Sequence, residues 1–591
     1  MPGTLFLVVG PSGAGKDTLI DGARTVLAGM DADGAGVVFA RRAITRPADA
    51  GGEDHEEIDD AAFDARRDSG GFMLHWEAHG LKYGVPASYA DALAAGANVV
   101  ANVSRGVIGE AIARFAPAVV LEITASPDIL AARLAGRGRE TAAEVAARLA
   151  RDAARIPSNA DIVTIVNDGP REDGIARVVS LLRNGRPASA ASMQRKIDRA
   201  ALDYRGYCDV IGDIVAGHYA EAEIADFLTA TAETLTDDET VDLARARLDF
   251  AHRMTWDADI VADKHSMGGI PGSRISMVVI PIVAAYGLTI PKTSSRAITS
   301  PAGTADAMEV LARVDLDTDD VRRVVKETGG CIAWNGGLNH SRVDDVMNAI
   351  TRPLRIDSLK WSVASILSKK IAAGATHCII DIPLGPTAKV RTAQDAQRLR
   401  NLFLHVGGAL GLGLEVRLTD GSAPVGRGIG PALEARDVVA VLRGDADAPQ
   451  DLRVKALDFA AAALCFDPAM SRAEAPVKAR ELLDSGAAHE ALQRMIAAQG
   501  PPPEEVLVGQ YTVEIAAPRA GAVDTIDCFA LAGIARAAGA PVDKGAGLDL
   551  FVRPGAIVAE GEPLYRLHAR TGKGLDAARK RAAENTAFTI C

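Results

Sequence analysis

The segment Leu5-Phe-Leu-Val-Val-Gly-Pro-Ser-Gly-Ala-Gly-Lys16 decides the fold of the first part of this chain. Its first five residues are apolar, as in a buried strand, and a glycine-rich loop leads from them into a helical stretch. Residues 10–16 fit the first seven positions of the pattern GxxxxGK(S/T), in which loop N–H groups, the helix N-terminus and the lysine hold phosphate oxygens. The order of strand, loop and helix therefore predicts a parallel α/β domain that binds a nucleotide.

Similar apolar runs recur along residues 1–185 and alternate with alanine-rich helical stretches. This alternation predicts a parallel sheet of the P-loop NTPase type, covered by helices on both faces. The predicted strands are residues 5–9, 37–40, 99–103, 119–123 and 162–166.

Composition excludes several classes of function. The chain has 591 residues, which suggests about four domains. Its 65 Lys+Arg against 77 Asp+Glu give a formal net charge of -12, so we expect neither nucleic acid nor an acidic membrane as a partner. The six cysteines contain no CxxC pair, which argues against a disulfide framework or a zinc cluster.

Neither a signal peptide nor a membrane span is expected. The apolar run near the N-terminus is not preceded by a basic segment. The longest uncharged stretch, residues 275–291, contains Pro281 and Gly287, so a buried helix and strand explain it better than a membrane span. We therefore expect a cytoplasmic protein whose partners are small molecules.

Asp17 departs from the phosphate-loop pattern, because Ser or Thr usually binds Mg²⁺ at this position. Either Asp17, directly or through a water molecule, or Thr18 is the candidate ligand for the Mg²⁺ that accompanies ATP. Lys16 is the candidate catalytic residue of this half. The predicted ATP-binding residues are Gly10, Pro11, Ser12, Gly13, Ala14, Gly15, Lys16, Asp17, Thr18, Arg137 and Arg139.

Further segments of the first half carry a family resemblance. They are Thr45-Arg46-Pro47, Trp76-Glu77-Ala78-His79-Gly80, Tyr83-Gly84-Val85-Pro86, Arg133, Arg137, Arg139 and Asn167-Asp168. With them, residues 4–182 resemble the guanylate-kinase-like proteins, and Gly-Lys-Asp in the loop resembles the ribose 1,5-bisphosphate phosphokinases. The resemblance implies that ATP phosphorylates ribose 1,5-bisphosphate to 5-phosphoribosyl diphosphate.

A bisphosphorylated sugar needs cations around it, and arginines follow the second predicted strand. The predicted acceptor-binding residues are Arg41, Arg42, Arg46, Glu77 and Tyr83. His79 is either a further one or an ordinary loop histidine. Phosphoryl transfer also needs charge neutralisation, which Lys16, Mg²⁺, Arg137 and Arg139 would supply; the alternative for the last two is a solvated helix face.

Two loops rich in glycine, serine and lysine mark the second half. They are Asp263-Lys-His-Ser-Met-Gly-Gly-Ile-Pro-Gly-Ser-Arg274 and Lys292-Thr-Ser-Ser-Arg-Ala-Ile-Thr-Ser-Pro-Ala-Gly-Thr304. Lysine, hydroxyl groups and exposed N–H groups together form a receptor for oxyanions. Two such loops can face each other across the carboxyl ends of a parallel sheet, where ligands bind.

The first loop resembles the KHSxGG signature of the pyrimidine nucleoside phosphorylase superfamily. The second loop, with Asp357-Ser358 and Ser365-Ile-Leu-Ser-Lys-Lys370, is similar to the branch that contains AMP phosphorylase and thymidine-phosphorylase-like proteins of bacteria. The resemblance extends from residue 204 to the C-terminus and implies phosphorolysis by inorganic phosphate as co-substrate, usually in a homodimer. The residues implied to bind nucleotide or phosphate are Lys264, Ser266, Gly269, Ser276, Ser294, Ser295, Arg296, Ala297, Ile298, Thr299, Ser300, Thr304, Ser365, Lys369 and Lys389.

Asp357 matches the proton donor of the AMP phosphorylase branch, so Asp357 and Lys264 are the candidate catalytic residues of this half. Cleavage of the C1′–N bond passes through an oxocarbenium-like state, in which donors hold the phosphate and the departing base needs a proton. A carboxylic acid supplies that proton if its environment raises its pKa. The alternative for Asp357 is the N-cap of the helix predicted after it.

Two departures bear on the substrate. Thymidine phosphorylases have a pyrimidine-binding arginine where Ile350 stands, although Arg352 lies nearby, and a histidine where Ser300 stands. Arg296 and Lys389, by contrast, favour a substrate that carries its own 5′-phosphate.

These assignments predict an order of regions along the chain. They are a kinase-like domain at 1–185, a polar linker at 186–200, a helical phosphorylase region at 201–258 that part of 350–376 completes, an α/β phosphate-binding domain at 259–499, and a small α+β domain at 504–591.

The two halves meet at one metabolite. Phosphorolysis of a nucleoside 5′-monophosphate yields ribose 1,5-bisphosphate, which the first half is expected to phosphorylate. We therefore predict a bifunctional pentosyltransferase and ATP-dependent phosphotransferase. The alternatives are a thymidine or other pyrimidine nucleoside phosphorylase fused to an independent ribose 1,5-bisphosphate phosphokinase, or to a non-catalytic nucleotide-binding module.

Overall fold

A computed structural model describes residues 2–29, 36–47, 54–78, 80–126, 129–130, 133, 156–157, 160–185, 187–297, 300–337, 343, 346–347, 350 and 358–591. The chain divides into two compact units. The first comprises Met1–Ala200, Asp209–Thr231 and Val346–Ile356, and the second comprises Ala201–Cys208, Ala232–Asp345 and Asp357–Cys591.

Strands and helices alternate through the first 200 residues. The strands are β1 (Leu5–Val9), β2 (Val37–Phe39), β3 (Arg42–Ile44), β4 (His55–Glu57), β5 (Phe72–Ala78), β6 (Leu81–Pro86), β7 (Asn98–Asn102), β8 (Ala118–Thr124) and β9 (Asp161–Val166). The helices are α1 (Lys16–Gly29), α2 (Asp60–Asp68), α3 (Ser88–Ala94), α4 (Ile108–Arg114), α5 (Arg171–Asn184) and α6 (Ala190–Ile197).

The main sheet of the first unit has the strand order β2-β7-β1-β8-β9, and every pairing in it is parallel. The prediction of five parallel strands from apolar runs is confirmed, with ends shifted by at most one residue. All five residues of β1 are buried in the middle of this sheet. The glycine-rich loop therefore leaves the carboxyl end of the central strand.

A second sheet of the first unit has the order β4-β3-β6-β5 and combines parallel and antiparallel pairs. The sequence patterns did not predict it. Strands β3 and β4 have three residues each and carry polar side chains such as Arg42 and His55, so no apolar run marks them. This sheet carries most of the predicted acceptor-binding residues.

The segment 187–200, within the predicted linker, has regular structure. It contains α6, and Ser189 at the start of that helix is buried and donates from Oγ to Asp213 Oδ2 at 2.7 Å. Residues 209–231, which we expected in the helical phosphorylase region, group with the first unit. The compact units therefore differ from the predicted domain boundary.

The rest of the chain is again mixed, after a helical start. The helices are α7 (Tyr204–Val215), α8 (Glu221–Thr234), α9 (Asp237–Asp249), α10 (Ser276–Tyr286), α11 (Thr304–Met308), α12 (Thr318–Thr328), α13 (Leu359–Ala372), α14 (Ala393–Ala409), α15 (Pro431–Arg443), α16 (Gln450–Leu464), α17 (Ala475–Asp484), α18 (Ala487–Gln499), α19 (Cys528–Ala538) and α20 (Gly572–Glu584). The strands are β10 (Ala262–Ser266), β11 (Ile290–Ser294), β12 (Gly330–Trp334), β13 (His377–Leu384), β14 (Gly413–Asp420), β15 (Gly428–Ile429), β16 (Tyr511–Ala516), β17 (Gly521–Ile526), β18 (Gly547–Leu550), β19 (Ile557–Val558), β20 (Pro563–Ala569) and β21 (Phe588–Ile590).

The parallel strands of the second unit bring the two predicted anion loops to one edge. Strands β10, β13 and β14 pair in parallel, as do β11 and β12. A parallel bridge between Val261 and Thr289 joins the two groups. Because β10 and β11 run in the same direction, the loops that follow them leave the sheet on the same side.

The uncharged stretch 275–291 forms the buried helix α10 and the start of β11, as its composition predicts. Residues of α10 from Ser276 to Val283 are all buried in the core of the second unit. Among the described residues, no helix is long and apolar enough to cross a membrane.

The C-terminal part is built on antiparallel pairs. Its four-stranded sheet has the order β15-β18-β20-β16, and three further strands pair in the order β19-β17-β21. Helices α19 and α20 pack on these strands around a core that includes Leu531, Ile534 and Ala578. The predicted α+β class of this region is confirmed, and β15 adds to it from before residue 504.

Candidate functional site

The glycine-rich loop follows the carboxyl end of β1 and leads into α1. Gly10, Gly13 and Gly15 have positive φ angles of 148°, 89° and 88°. A Cβ atom on Gly10 would lie 1.9 Å from the Ile123 carbonyl oxygen, so a larger residue does not fit there. The loop is thus shaped by backbone conformations that favour glycine.

Two polar side chains hold the loop from within the first unit. Lys16 Nζ donates to the carbonyl oxygens of Gly10 and Pro11 at 2.7 and 3.0 Å, so the ammonium lies over the loop. The buried side chain of Asn167 donates from Nδ2 to the Ala14 carbonyl at 2.8 Å. Asn167 thus fixes the loop from the carboxyl end of the sheet.

Asp17, in the first turn of α1, is exposed and accepts a hydrogen bond from Asn102 Nδ2 at 3.2 Å. Thr18 beside it is also exposed. A carboxylate and a hydroxyl are oxygen donors of the kind that Mg²⁺ prefers, so both residues fit a metal that accompanies ATP. Asn102 is a site residue that sequence reasoning missed, although its place at the end of a predicted strand was a signal.

The structure brings part of the predicted acceptor set together. Arg42 is buried, donates from Nη1 to the Asn102 carbonyl at 2.9 Å, and lies 5.4 Å from the centre of the Tyr83 ring. The rings of Trp76 and Tyr83 stack 5.4 Å apart. Since Asn102 also contacts Asp17, this group adjoins the phosphate loop.

The other predicted acceptor residues differ in their surroundings. Arg46 has a buried Nε atom without a hydrogen-bond partner among the described residues, and its Nη2 lies 3.5 Å from His55 Nδ1. Arg41 is exposed and paired with Asp54 at 3.0 Å. Glu77 is exposed at the far end of β5. Of the three, Arg46 has the donor most available for an anion.

Several predicted site residues lie outside the described part of the chain. They are His79, Arg137, Arg139, Ile298, Thr299 and Asp357. The described part of the chain resumes at Ser358, which is the N-cap of α13, with its side chain accepting from the Trp361 N–H.

Lys264 is the central residue of the second site. It lies in β10, is 1% exposed, and its Nζ has no hydrogen bond or ion pair with the described residues. The ammonium lies 5.4 Å from the centre of the Phe459 ring. Burial lowers the pKa of Lys264 to about 8, and the attraction of Asp381 only partly offsets this. Such a cation gains most from an anionic ligand.

Ser266 is held in place two residues further along the same strand. Its Oγ donates to Asp381 Oδ2 at 3.1 Å, and Thr419 Oγ1 donates to Asp381 Oδ1 at 2.6 Å. Lys455 Nζ lies 3.5 Å from the same buried carboxylate. Asp381 therefore orients the serine rather than pairing with Lys264, a role that the sequence analysis missed.

The first anion loop touches a second predicted ligand-binding segment. Gly269 has a φ of 89°, and a Cβ atom on it would lie 2.9 Å from the Lys389 backbone nitrogen. The Lys389 side chain is exposed. The structure thus brings Gly269 and Lys389 together, as the family resemblance implies.

Arg296, in the second anion loop, is engaged by acidic side chains of its own unit. Its guanidinium donates to both carboxylate oxygens of Glu309 at 2.6 and 2.7 Å and lies 3.4 Å from Asp306. Lys544 Nζ lies 2.7 Å from Glu309 as well. We expected Arg296 to bind a substrate 5′-phosphate; its bidentate pair with Glu309 does not support that role, because the cation is already neutralised.

The side chain of Asp306 binds the backbone of the same loop. Its Oδ2 accepts from the N–H groups of Ala297 and Gly303 at 2.7 and 2.8 Å. Ser300 Oγ donates to the Ala302 carbonyl at 2.9 Å. Asp306 therefore binds the backbone at two described positions of the loop, while Ser294 ends β11 at the same edge as Ser266.

Thr304 and Ser276, two predicted phosphate ligands, start helices behind the loops. Thr304 Oγ1 accepts from Arg274 Nη1 at 3.2 Å, and Arg274 is also paired with the buried Glu434. Ser276 is the first residue of α10 and is 7% exposed. The role of both residues as phosphate ligands stays a prediction.

Ser365 and Lys369 lie on consecutive turns of α13. Ser365 is buried, while Lys369 is half-buried. The next residue, Lys370, is also buried, and sequence reasoning did not single it out. The signal that could have identified Lys370 is a lysine in a largely buried helix, directly after a predicted ligand.

Two family models match the second part of the chain. A model described as "Glycosyl transferase family, a/b domain" matches residues 258–489, and one described as "Pyrimidine nucleoside phosphorylase C-terminal domain" matches residues 522–589. Both anion loops and α13 lie within the first match.

Curated relatives match almost the whole chain. A protein of Cupriavidus necator named "Bifunctional ribose 1,5-bisphosphokinase-thymidine phosphorylase" is 54% identical over 98% of this chain and 96% of its own length. Proteins with the same name from Azorhizobium caulinodans and Roseobacter denitrificans are 48% and 41% identical, over 98% and 100% of this chain and 95% and 100% of their own lengths.

Among solved structures, anthranilate phosphoribosyltransferase of Thermus thermophilus is 18% identical, with a TM-score of 0.44. The match covers 52% of this chain and 99% of that chain. The anthranilate phosphoribosyltransferase of Saccharomyces cerevisiae gives a TM-score of 0.43 at 17% identity, over 52% of this chain and 97% of that chain.

Proposed function

The chain belongs to the family of bifunctional ribose 1,5-bisphosphokinase-thymidine phosphorylases, a pentosyltransferase joined to a kinase, and on this premise we propose that its two reactions act in sequence. Phosphorolysis of a nucleoside 5′-monophosphate gives the free base and ribose 1,5-bisphosphate. ATP then phosphorylates ribose 1,5-bisphosphate to 5-phosphoribosyl diphosphate. Ribose 1,5-bisphosphate, a product of the phosphorolysis, is thus the substrate of the kinase reaction, so no other enzyme is needed to supply it.

The buried cation Lys264 carries the phosphorolysis part of the proposal. Inorganic phosphate binds to its ammonium, to the hydroxyl of Ser266 and to donors of the second loop such as Ser294. A phosphate oxygen attacks C1′ of the ribose, the bond from C1′ to the base breaks, and the base leaves with the electron pair. Asp357 gives the departing base its proton, in the role that the family resemblance implies.

The kinase part rests on the phosphate loop and the group behind Asn102. Lys16 and the loop N–H groups hold the ATP phosphates, and Asp17 or Thr18 would hold Mg²⁺, which would supply charge neutralisation for the transferred group. Arg42, Arg46 and Tyr83 hold the phosphates and ribose of the acceptor. The chain of contacts from Arg42 through Asn102 to Asp17 supports this, because it joins the acceptor group to the nucleotide loop.

A thymidine or other nucleoside phosphorylase is the second candidate for the second unit. The bidentate pair between Arg296 and Glu309 favours it, because that arginine does not reach for a 5′-phosphate. The relatives are also named as thymidine phosphorylases. Thymidine would yield deoxyribose 1-phosphate, which lacks the 5-phosphate of the kinase substrate, and the two units would then work independently. No observation favours the third alternative, a non-catalytic module.

One set of incubations separates these candidates. The protein is supplied with phosphate and with AMP, CMP, UMP or thymidine, with and without Mg-ATP, and the released base and sugar phosphates are measured. We expect base from a monophosphate, and 5-phosphoribosyl diphosphate only when Mg-ATP is present. Cleavage of thymidine without cleavage of any monophosphate would overturn the sequential proposal.

We further propose a homodimer through the second unit, which the family resemblance implies, and a cytoplasmic location. Light scattering of the purified protein tests the assembly directly. A single 61.6 kDa species at micromolar concentration would contradict the dimer.

A further inference from the structure

Three buried ionic side chains of the second unit form one cluster. Asp263 of β10 lies 3.3 Å from Lys292 Nζ of β11 and 2.8 Å from Lys370 Nζ of α13. All three residues are at most 3% exposed. One carboxylate thus joins two ammonium groups from two other elements.

The cluster connects the elements that carry the proposed phosphate and nucleotide ligands. Asp263 precedes Lys264, and its Oδ1 also accepts from the Lys264 backbone N–H at 2.6 Å. Lys292 lies two residues before Ser294, and Lys370 follows Lys369 directly. Lys370 Nζ in addition lies 3.5 Å from the Thr293 carbonyl oxygen, next to Ser294. Each member is therefore within two residues of a proposed ligand.

Stability alone does not explain this cluster. Burying ions carries a desolvation penalty that their attraction often fails to exceed, so an apolar replacement of similar size is commonly neutral or stabilising. Here two ammonium groups share one carboxylate. Burial lowers the pKa of Lys292, whereas at Lys370 the effect of burial is exceeded by the attraction of Asp263, which raises the pKa. One lysine of the pair is therefore unfavourably buried, and the position of the cluster between three ligand-bearing elements points to the geometry that it imposes on its neighbours.

We propose that Asp263, Lys292 and Lys370 are positioning residues that hold β10, β11 and α13 in the arrangement required to bind inorganic phosphate. The inference rests on the proposed phosphorolysis but not on the choice of nucleotide or nucleoside. Lys264, Ser266 and Ser294 make the contacts with phosphate. The cluster acts only through their relative placement.

The test is the affinity of the full-length protein for inorganic phosphate, measured by titration calorimetry in the wild type and in Lys292→Met. We expect the Kd to rise at least about tenfold, because a displacement of about 1 Å is enough for such losses at a pre-organised site. The matched control is Lys360→Met, which removes an ion pair with Asp237 at 2.8 Å from the same helix α13 at a partly exposed position. This control should bind phosphate within about twofold of the wild type.

A double-mutant cycle separates positioning from independent effects. The double variant combines Asp263→Asn with Lys292→Met. If Lys292 acts through Asp263, the phosphate Kd of the double variant should be at most about twofold higher than that of the single variant with the higher Kd. The KM for phosphate should rise by a larger factor than the KM for the base-bearing substrate, whichever substrate the wild type cleaves, because Lys292 lies on the strand that carries Ser294. Phosphorylation of ribose 1,5-bisphosphate by the same preparations reports that the first unit is intact.

Two outcomes overturn the inference. One is unchanged phosphate affinity in folded Lys292→Met, and the other is full additivity of the two substitutions. If near-ultraviolet circular dichroism shows that Lys292→Met has lost its tertiary structure, Asp263→Asn alone decides, because it keeps the size of the side chain. Failure of the wild type to cleave any monophosphate would instead overturn the sequential function and leave the phosphate titration valid.

Discussion

At the scale of single residues, Lys264 lowers the stability of the folded protein and is the proposed ligand of phosphate. Its ammonium is buried in β10, and the buried carboxylate of Asp381, which attracts it, accepts hydrogen bonds from Ser266 and Thr419 and pairs with Lys455. An unpaired buried cation destabilises a folded protein, which is why its pKa falls to about 8. Residues placed in this way are candidates for function rather than for stability.

The first prediction concerns Lys264→Met. Because the folded pKa of Lys264 is lowered, the unfolded chain binds more protons between pH 8 and the usual lysine value of 10.5, so wild-type stability rises relative to the variant through that window. At pH 7 the full cost is present, and we expect the variant to gain on the order of 2–3 kcal/mol of stability. Phosphorolysis should fall at least about 100-fold.

Thermal unfolding of the wild type and of Lys264→Met at pH 7 and pH 10, without phosphate, checks the predicted difference in stability. The midpoint of the variant should exceed that of the wild type at pH 7, and the gap should narrow at pH 10. A less stable variant at pH 7 would show that the lysine is paired after all. The kinase reaction should be unaffected.

The second prediction concerns Lys389, the other cation predicted to bind a substrate 5′-phosphate, since Arg296 is paired with Glu309. Lys389→Met should raise the KM for a nucleoside monophosphate about tenfold, and leave the KM for a nucleoside within about twofold, because only the former has the extra charge. Lys478→Met, at an exposed pair with Glu481 on α17, is the control. Equal effects on both substrates would remove Lys389 from 5′-phosphate binding.

At the scale of elements, the second anion loop depends on one carboxylate at the start of α11. Asp306 accepts from two loop N–H groups, those of Ala297 and Gly303, and it is 3% exposed. Its neighbour Glu309 holds Arg296 and is held by Lys544. The loop is therefore fixed by side chains that follow it in sequence, within the same unit.

The third prediction is that Asp306→Ala raises the KM for phosphate or nucleotide at least about tenfold, because two backbone N–H groups lose their acceptor and the loop opens. Asp317→Ala removes a similar cap, the acceptor of the Asp320 N–H at the start of α12, away from the loop. Both variants should lose about 1 kcal/mol of stability or more. Only Asp306→Ala should change steady-state kinetics; equal kinetics in the two would contradict the role of Asp306.

The sequence predicts elements well where one physical signal dominates. Strand β1 and its four parallel neighbours are continuous apolar runs, and the loops after β1 and β10 have motifs set by local chemistry. The sheet that contains β3 and β4 was not predicted, because three-residue strands with polar side chains lack a period. The partner of Arg296 was missed because a contact with Glu309, thirteen positions away, follows no helical or strand spacing.

At the scale of the whole molecule, two compact units share one chain. Within 187–200, where small polar residues predict a linker, the structure has α6 and the buried Ser189, which group with the first unit. Joining two active sites in one chain raises the local concentration of a shared intermediate. That advantage exists only if the product of one unit is the substrate of the other.

The variant Lys16→Ala separates the two proposed reactions, because it affects only the kinase step. The wild type and the variant are incubated with AMP, phosphate and Mg-ATP, and sugar phosphates are followed by ³¹P NMR. We predict that the wild type forms 5-phosphoribosyl diphosphate, whereas the variant releases adenine at an unchanged rate and accumulates ribose 1,5-bisphosphate. No release of base from AMP by the wild type, together with rapid cleavage of thymidine, would contradict the account.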